Sequence, residues 1–237
     1  MITSKDNKRV KEWTKLRLKK YRLTHFLTTD MPTILLAKEN GYLETLLYVK
    51  AAPFNFTNQV EVSAEVMEKI CGEKVAYAAV LRKAEEKFVA SRRILLLDGL
   101  QDPLNIGLLL GNAQQFGFSS VVFSPNTADI YHEKALQASH GAFYKLASIR
   151  QDLPSLIERL KHEGYACYAT GLWENTKPLS QIKAATKMAI VVGNEGSGVT
   201  KEVREACGES VKIEMQNIDS LNAAVAGSIV MYYFRLP

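Results

Sequence analysis

The sequence predicts an α/β protein in two parts: a small α/β domain over residues 1–85 and a larger domain over 92–237 with a mostly parallel sheet. Three observations lead there. Apolar runs of strand length alternate with segments of helical length along the whole chain. The run Ile94-Leu95-Leu96-Leu97 is continuously apolar, as expected of a parallel strand buried on both faces. Between the two parts lies a polar stretch, 83–92 (KAEEKFVASR), where the boundary is placed.

In the first part, Ser4 is the expected cap of a helix running to about Lys20, with Val10, Trp13 and Leu16 as its apolar stripe. Phe26 to Thr29 reads as a short strand. Pro32 suits the first turn of a helix over Thr33 to Asn40, which Gly41 stops. Leu46 to Val49 reads as a strand, Val62 to Ile70 as a helix, and Ala76 to Leu81 as a strand.

In the second part, the Ile94–Leu97 strand leads into a helix over Asn105 to Phe116. Expected strands follow at Val121 to Phe123, Leu146-Ala147, Tyr165 to Thr170, Met188 to Val192 and Val211 to Met215. Expected helices cover Tyr131 to Ala138, Leu153 to His162, Lys201 to Ala206 and the apolar Leu221 to Phe234. Such alternation implies a sheet covered by helices on both faces.

Composition narrows the function classes. Of 237 residues, 47% are apolar and 23% charged, an ordinary globular balance. No apolar run reaches the roughly 18 residues of a membrane span, and Met1 to Arg22 has no signal-peptide core, so a soluble cytoplasmic protein is expected. Cys71, Cys167 and Cys207 are too scattered for a disulfide framework or a zinc site, and no metal is expected. The net charge of +5 is concentrated: residues 1–22 carry +7 and the remainder sums to −2. Such a stretch is an electrostatic footprint for a polyanion, or a solvated helix face.

Three motifs follow predicted strands. The first is Asp98-Gly99-Leu100-Gln101-Asp102-Pro103-Leu104-Asn105-Ile106-Gly107, a polar turn at a helix N-terminus, where open α/β sheets place ligands. Asp102, Asn105 and Pro103 also suit capping and starting that helix. The second is Gly193-Asn194-Glu195-Gly196-Ser197-Gly198, whose glycines let a backbone approach a ligand closely. It is neither a phosphate-binding P-loop nor a dinucleotide fingerprint. The third is Ile213-Glu214-Met215 followed by Ser220-Leu221-Asn222-Ala223-Ala224-Val225-Ala226-Gly227-Ser228. Ser220 is the expected cap of the last helix, and the small residues after it permit close packing or close approach of a ligand.

In this order, D-x-x-Q-D-P-x-N-x-G, G-N-E-G-x-G and I-x-M…S-L-N-A-A-V-A, the motifs resemble the signatures of SpoU-type (TrmH-like) RNA methyltransferases of the SPOUT superfamily. The resemblance spans about Ile94 to Phe234. Residues 1–82 resemble the substrate (RNA)-binding domain that precedes it in many members, through N-x-x-V-K-x-x-x-x-L-x-x-x-K-Y-R over Asn7 to Arg22.

The resemblance implies a SPOUT domain with a C-terminal trefoil knot, a homodimer, and methyl transfer from S-adenosylmethionine (SAM) to a ribose 2′-hydroxyl of rRNA or tRNA. It implies a cofactor pocket at Thr170, Gly171, Gly193, Asn194, Gly198, Ile213, Met215 and Leu221. Asn105 and Glu195 would order the catalytic site, and Ser220 and Asn222 would orient ribose or phosphate. Lys8, Arg9, Lys15, Lys19, Lys20 and Arg22 would hold RNA phosphates. The last helix and the helix after motif one are the expected dimer interface.

The chain departs from the family pattern at four places. Gly111 stands where N-x-G-x-x-x-R has the arginine that helps activate the hydroxyl. Gln137 replaces a frequently basic residue, Glu214 replaces the proline of I-P-M, and Thr29-Asp30 replaces an E-G pair. Either another base such as Arg92, Arg93, Arg150 or His140 of either subunit fills the gap, or the acceptor is not a ribose hydroxyl, or the chain binds RNA or SAM without turnover.

Overall fold

The computed structural model describes residues 1–216 and 220–236. Its contacts divide the chain into two compact units: residues 1–84 with 131–144, and residues 85–130 with the chain from 145 onward. The segment 131–144 lies inside the stretch that the sequence assigns to the larger domain. Its packing explains the difference. Phe26 rests on Tyr131 and Phe143 (ring centroids 4.8 and 5.9 Å apart). A Cβ on Gly141 would come within 3.1 Å of the Thr33 Cα, so the turn there must stay bare.

In the first unit, helix α1 (Lys8–Lys15) precedes strand β1 (His25–Thr28), helix α2 (Met31–Glu39), strands β2 (Leu43–Tyr48) and β3 (Gln59–Glu61), helix α3 (Ala64–Cys71) and strand β4 (Tyr77–Arg82). The sheet order is β1-β4-β2-β3, antiparallel except for the β2–β3 pair. Helices α1 and α3 bury Val10, Trp13, Val66, Met67 and Ile70 against Leu47, Ala78 and Val80 of this sheet.

Two expectations need correction here. Asn7, not Ser4, caps α1, its side chain accepting from the Arg9 amide, and the helix ends at Lys15 rather than Lys20. Leu16 caps the helix and packs partly buried against the same core, while Arg17 and Lys20, next on that face, are exposed. The sequence also missed β3, only three residues long and half-buried.

The second unit follows with strand β5 (Arg93–Asp98), helix α4 (Pro103–Gln115) and strand β6 (Ser120–Phe123); helix α5 (Glu133–Ser139) belongs to the first unit. Strand β7 (Ala147–Arg150), helix α6 (Leu153–His162), strands β8 (Ala166–Thr170), β9 (Lys177–Pro178) and β10 (Met188–Gly193), helix α7 (Lys201–Cys207), strand β11 (Glu209–Lys212) and helix α8 (Ala223–Tyr233) complete it. Its seven strands run in the order β7-β6-β5-β10-β8-β11-β9, and every neighbouring pair is parallel. Strands β5 and β10 are buried at all six positions, the pattern of central parallel strands.

Helices α6 and α7 pack together over a core of Ile94, Leu96, Leu156, Leu160, Val191 and Val203. Helices α4 and α8 also pack together, and Gly227 lets them approach. A Cβ there would lie 2.5 Å from Leu109 Cδ2 and 3.0 Å from Val192 Cγ2. The cap of α8 is Asn222, which accepts from the amides of Ala224 and Val225, not Ser220 as expected. Strand β11 ends at Lys212 rather than Met215, and Ile213 and Met215, beyond its end, line the cavity described next.

Candidate active site

Parallel strands end on one side of a sheet, and their loops converge there. In the second unit the ends of β8, β10 and β11, with the start of α8, surround a cavity of about 320 Å³. That lies at the small end of the range for ligand pockets. The wall includes Thr170 to Trp173, Val192 to Gly198, Val211 to Ile213, Met215, Ser220, Leu221 and three small or apolar residues of α8. All eight residues expected to hold cofactor lie in it: Thr170, Gly171, Gly193, Asn194, Gly198, Ile213, Met215 and Leu221.

The second motif folds as a hairpin over its own strand. The amide of Asn194 donates to the Gly198 carbonyl (3.0 Å), and Gly198 donates back (2.9 Å). A Cβ on Gly193 would lie 2.5 Å from the Gly198 carbonyl oxygen and closer still to two further backbone atoms, so only glycine fits. Gly198 itself has a φ of +71°. The Asn194 side chain accepts from the amides of Gly196 and Ser197 and donates to the Gly99 carbonyl (2.9 Å).

A hydrogen-bond network then joins the three motifs. Glu195 accepts from the amides of Gln101 (3.1 Å) and Asp102 (3.0 Å) and from Asn105 Nδ2 (3.1 Å). The Asn105 carbonyl oxygen accepts from Asn222 Nδ2 (3.0 Å), and Asn222 caps α8 with its other atom. Partial burial pushes the Glu195 carboxyl up. The hydrogen bonds from Asn105, from its own backbone and from the two amides outweigh this and hold it below the usual carboxylate range. Glu195 is therefore an ionised acceptor whose oxygens are occupied, fit to fix the loop geometry and poorly placed to take a proton.

Of the four expected catalytic residues, Glu195 and Ser220 reach the cavity wall. Asn105 is buried in α4 and Asn222 is committed to the network, so both touch the cavity only through their partners. Sequence reasoning missed Leu172, Trp173 and Lys212. Trp173 packs against Gly171, where any Cβ would collide with its ring, under the Arg204 guanidinium 5.0 Å from the ring centroid. The only signal was position: each follows or ends a strand that the sequence did identify.

The profile of the SpoU rRNA methylase family matches residues 92–232, which include all three motifs and the whole cavity wall. The chain belongs to this family. Among its relatives, the 23S rRNA (guanosine(2553)-2′-O)-methyltransferase RlmP of Bacillus subtilis is 30% identical, over 99% of this chain and 98% of that protein. A solved RNA 2′-O ribose methyltransferase superposes with a TM-score of 0.82 at 25% identity, covering 98% of this chain and 97% of that one. The AdoMet-bound rRNA methyltransferase of Sinorhizobium meliloti has the same fold, with a TM-score of 0.86 at 21% identity over 98% of this chain and 96% of that one.

The family departures also have positions. Gly111 lies on α4 one residue before Asn112, whose Nδ2 donates to Ser228 of α8 (2.6 Å). Glu214 accepts from the Ser180 amide and hydroxyl, holding the Ile213–Met215 segment as a ring would not. Asp30 caps α2 through the Thr33 amide (2.9 Å) and also meets His140 Nδ1 at 3.5 Å.

Two of the expected substitute bases are committed elsewhere within the chain, and a third lies far from the cavity. Arg93 is buried and donates to the carbonyls of Phe234 and Thr186. It starts β5, at the opposite end from the cavity, and the exposed Arg92 precedes it there. Arg150 donates to the carbonyls of Ser124, Thr127 and Ala128, and burial lowers its pKa.

In the first unit Lys8, Arg9, Lys15, Lys19 and Lys20 are exposed. Arg9 covers Trp13, and Lys15 and Lys20 flank Tyr21. Arg22 corrects the expectation: it is 8% exposed and donates to the Tyr131 carbonyl, which removes it from the RNA-facing set.

Proposed function

We propose that this chain is a SAM-dependent RNA methyltransferase that methylates a ribose 2′-hydroxyl, with ribosomal RNA as the substrate class. One observation carries the reading: the three motifs converge on a single cavity in a chain related end to end to a 23S rRNA 2′-O-methyltransferase. The cavity fits the cofactor on its own terms. Bare glycine backbone at Gly193 and Gly198 permits close approach, Ile213, Leu221 and Val230 supply apolar surface, and Asn194 and Ser220 supply polar atoms.

Bound there, SAM supplies a methyl group on a sulfonium that is already a good leaving group. Gly193, Ile213, Met215 and Leu221 would hold it, Thr170 and Gly171 would close one wall, and Ser220 would meet the ribose. Glu195, Asn105 and Asn222 would keep these loops in register. The contribution of the protein is thus chiefly placement of the two reactants. Purified protein should bind S-adenosylhomocysteine and transfer labelled methyl from SAM to RNA from cells lacking the gene. Failure of both would overturn the reading.

RNA would be held by the exposed bases of α1 and the turn after it, and the contacts should weaken with salt. A second copy would cover the α4–α8 face, where Leu104, Leu108, Val225, Ile229 and Tyr232 are 38–54% exposed. The trefoil knot belongs to this proposal as well. Pulling on the two termini should leave the unfolded chain shorter than its contour length if the knot is present.

Gly111 favours a second reading, in which the chain binds SAM and RNA without turnover. No guanidinium reaches the site from α4. Gly111→Arg separates the two: activity gained by an inert protein supports this second reading, and activity lost by an active one supports a rebuilt site.

A further inference from the structure

Two charged residues lie among the described residues of the cavity wall, Glu195 and Lys212. Glu195 is consumed by its hydrogen-bond donors, the amides of Gln101 and Asp102 and the side chains of Asn105 and Asn194. Lys212 is not consumed. It ends β11, is half-buried, and has neither a hydrogen bond nor an ion pair from its ammonium to any described residue. The described acids nearest to it in sequence are otherwise engaged: Glu209 pairs with Lys177 at 3.2 Å, and Glu214 is held by Ser180. A lysine of a cavity wall whose ammonium has no partner among the described residues is complementary to an anionic ligand group.

We infer that Lys212 is a specificity-determining residue of the cofactor cavity and receives the carboxylate at the amino-acid end of the bound nucleoside. This rests on the cofactor reading above. The carboxylate is the one anion that SAM and S-adenosylhomocysteine carry, and 5′-methylthioadenosine lacks it. Lys212 therefore makes the cavity prefer the amino-acid-bearing nucleosides over the truncated one. Val211 and Ile213, its neighbours on either side in the same wall, would serve both classes alike.

Calorimetric titration of the full chain with S-adenosylhomocysteine and with 5′-methylthioadenosine tests this without reference to turnover. Lys212→Ala should weaken S-adenosylhomocysteine about tenfold or more, the scale of one charge-assisted hydrogen bond. It should leave 5′-methylthioadenosine within about twofold, and Lys212→Arg should restore most of the preference. Lys212→Met, which keeps the aliphatic stem, guards against a folding defect in the alanine variant.

Equal weakening of both ligands by Lys212→Met, or no change in either, would overturn the inference. A loss of RNA affinity with nucleoside binding unchanged would also overturn it, by assigning the ammonium to a phosphate. If the wild-type chain binds neither nucleoside, the cofactor reading itself fails and this inference falls with it.

Discussion

Replacing Gly193 with alanine should damage the site through a single methyl group. The Cβ would lie 2.5 Å from the Gly198 carbonyl oxygen and nearer to the Gly198 carbonyl carbon and the Val199 nitrogen. All three are backbone atoms, so no side chain can rotate away. The hairpin Asn194–Gly198 must lift, and with it the Glu195 carboxylate that binds Gln101, Asp102 and Asn105. Overpacking of this kind costs about 1–3 kcal/mol. At roughly 2–4 °C per kcal/mol for a chain of this size, the thermal midpoint should fall by about 2–12 °C.

Gly196→Ala is the matched control in the same hairpin, since its Cβ would meet only Asn194 Oδ1 at 3.6 Å. Differential scanning calorimetry of both variants, with S-adenosylhomocysteine titrations alongside, is the assay. A Gly193→Ala protein as stable and as tightly binding as Gly196→Ala would refute the reasoning.

Further expectations are tested by ordinary solution measurements. Glu195 has a folded pKa below its unfolded one, so the unfolded chain binds the extra proton between the two values. The stability advantage of wild type over Glu195→Gln should thus be complete at neutral pH and disappear as pH falls through the lowered pKa. Because the carboxylate is solvent-screened, that gap should be small, and denaturant titrations across acidic pH would show it. Burial raises the thiol pKa of Cys167 to about 11 and of Cys71 to about 12 and pushes Cys207 higher still, so a thiol reagent at mildly alkaline pH should label the native protein far more slowly than the denatured one. Light scattering should give twice the chain mass of 26.5 kDa, and Ile229→Asp should shift the protein toward one chain mass. A wild type that stays at one chain mass would contradict the proposed α4–α8 pairing.

The site was more legible in the sequence than the elements around it. Strand ends in a parallel sheet share one side, so local pattern put Gly193, Ile213 and Thr170 at or near strand ends, and the family resemblance supplied their place in a cofactor pocket. Long apolar runs such as Ile94–Leu97 identified themselves. Short strands did not: Gln59–Glu61 and Lys177–Pro178 are strands only because β2 and β11 offer them an edge.

Caps were misread where several polar residues competed. Ser4 and Ser220 had the right chemistry, but Asn7 and Asn222 stand two or three residues closer to the helix. Arg22 read as one more base in a basic run, and its burial depends on the Tyr131 carbonyl more than a hundred residues away. Lys212 carried no motif, and its interest arises from what the fold leaves unpaired around it.

The central claim is that this chain methylates ribose in RNA. Mass-spectrometric mapping of 2′-O-methylated nucleotides in ribosomal and transfer RNA, from cells with and without the gene, tests it most directly. The account predicts a methylated ribose in ribosomal RNA that disappears with the gene and returns when the gene is restored. Identical methylation maps in both strains would contradict it.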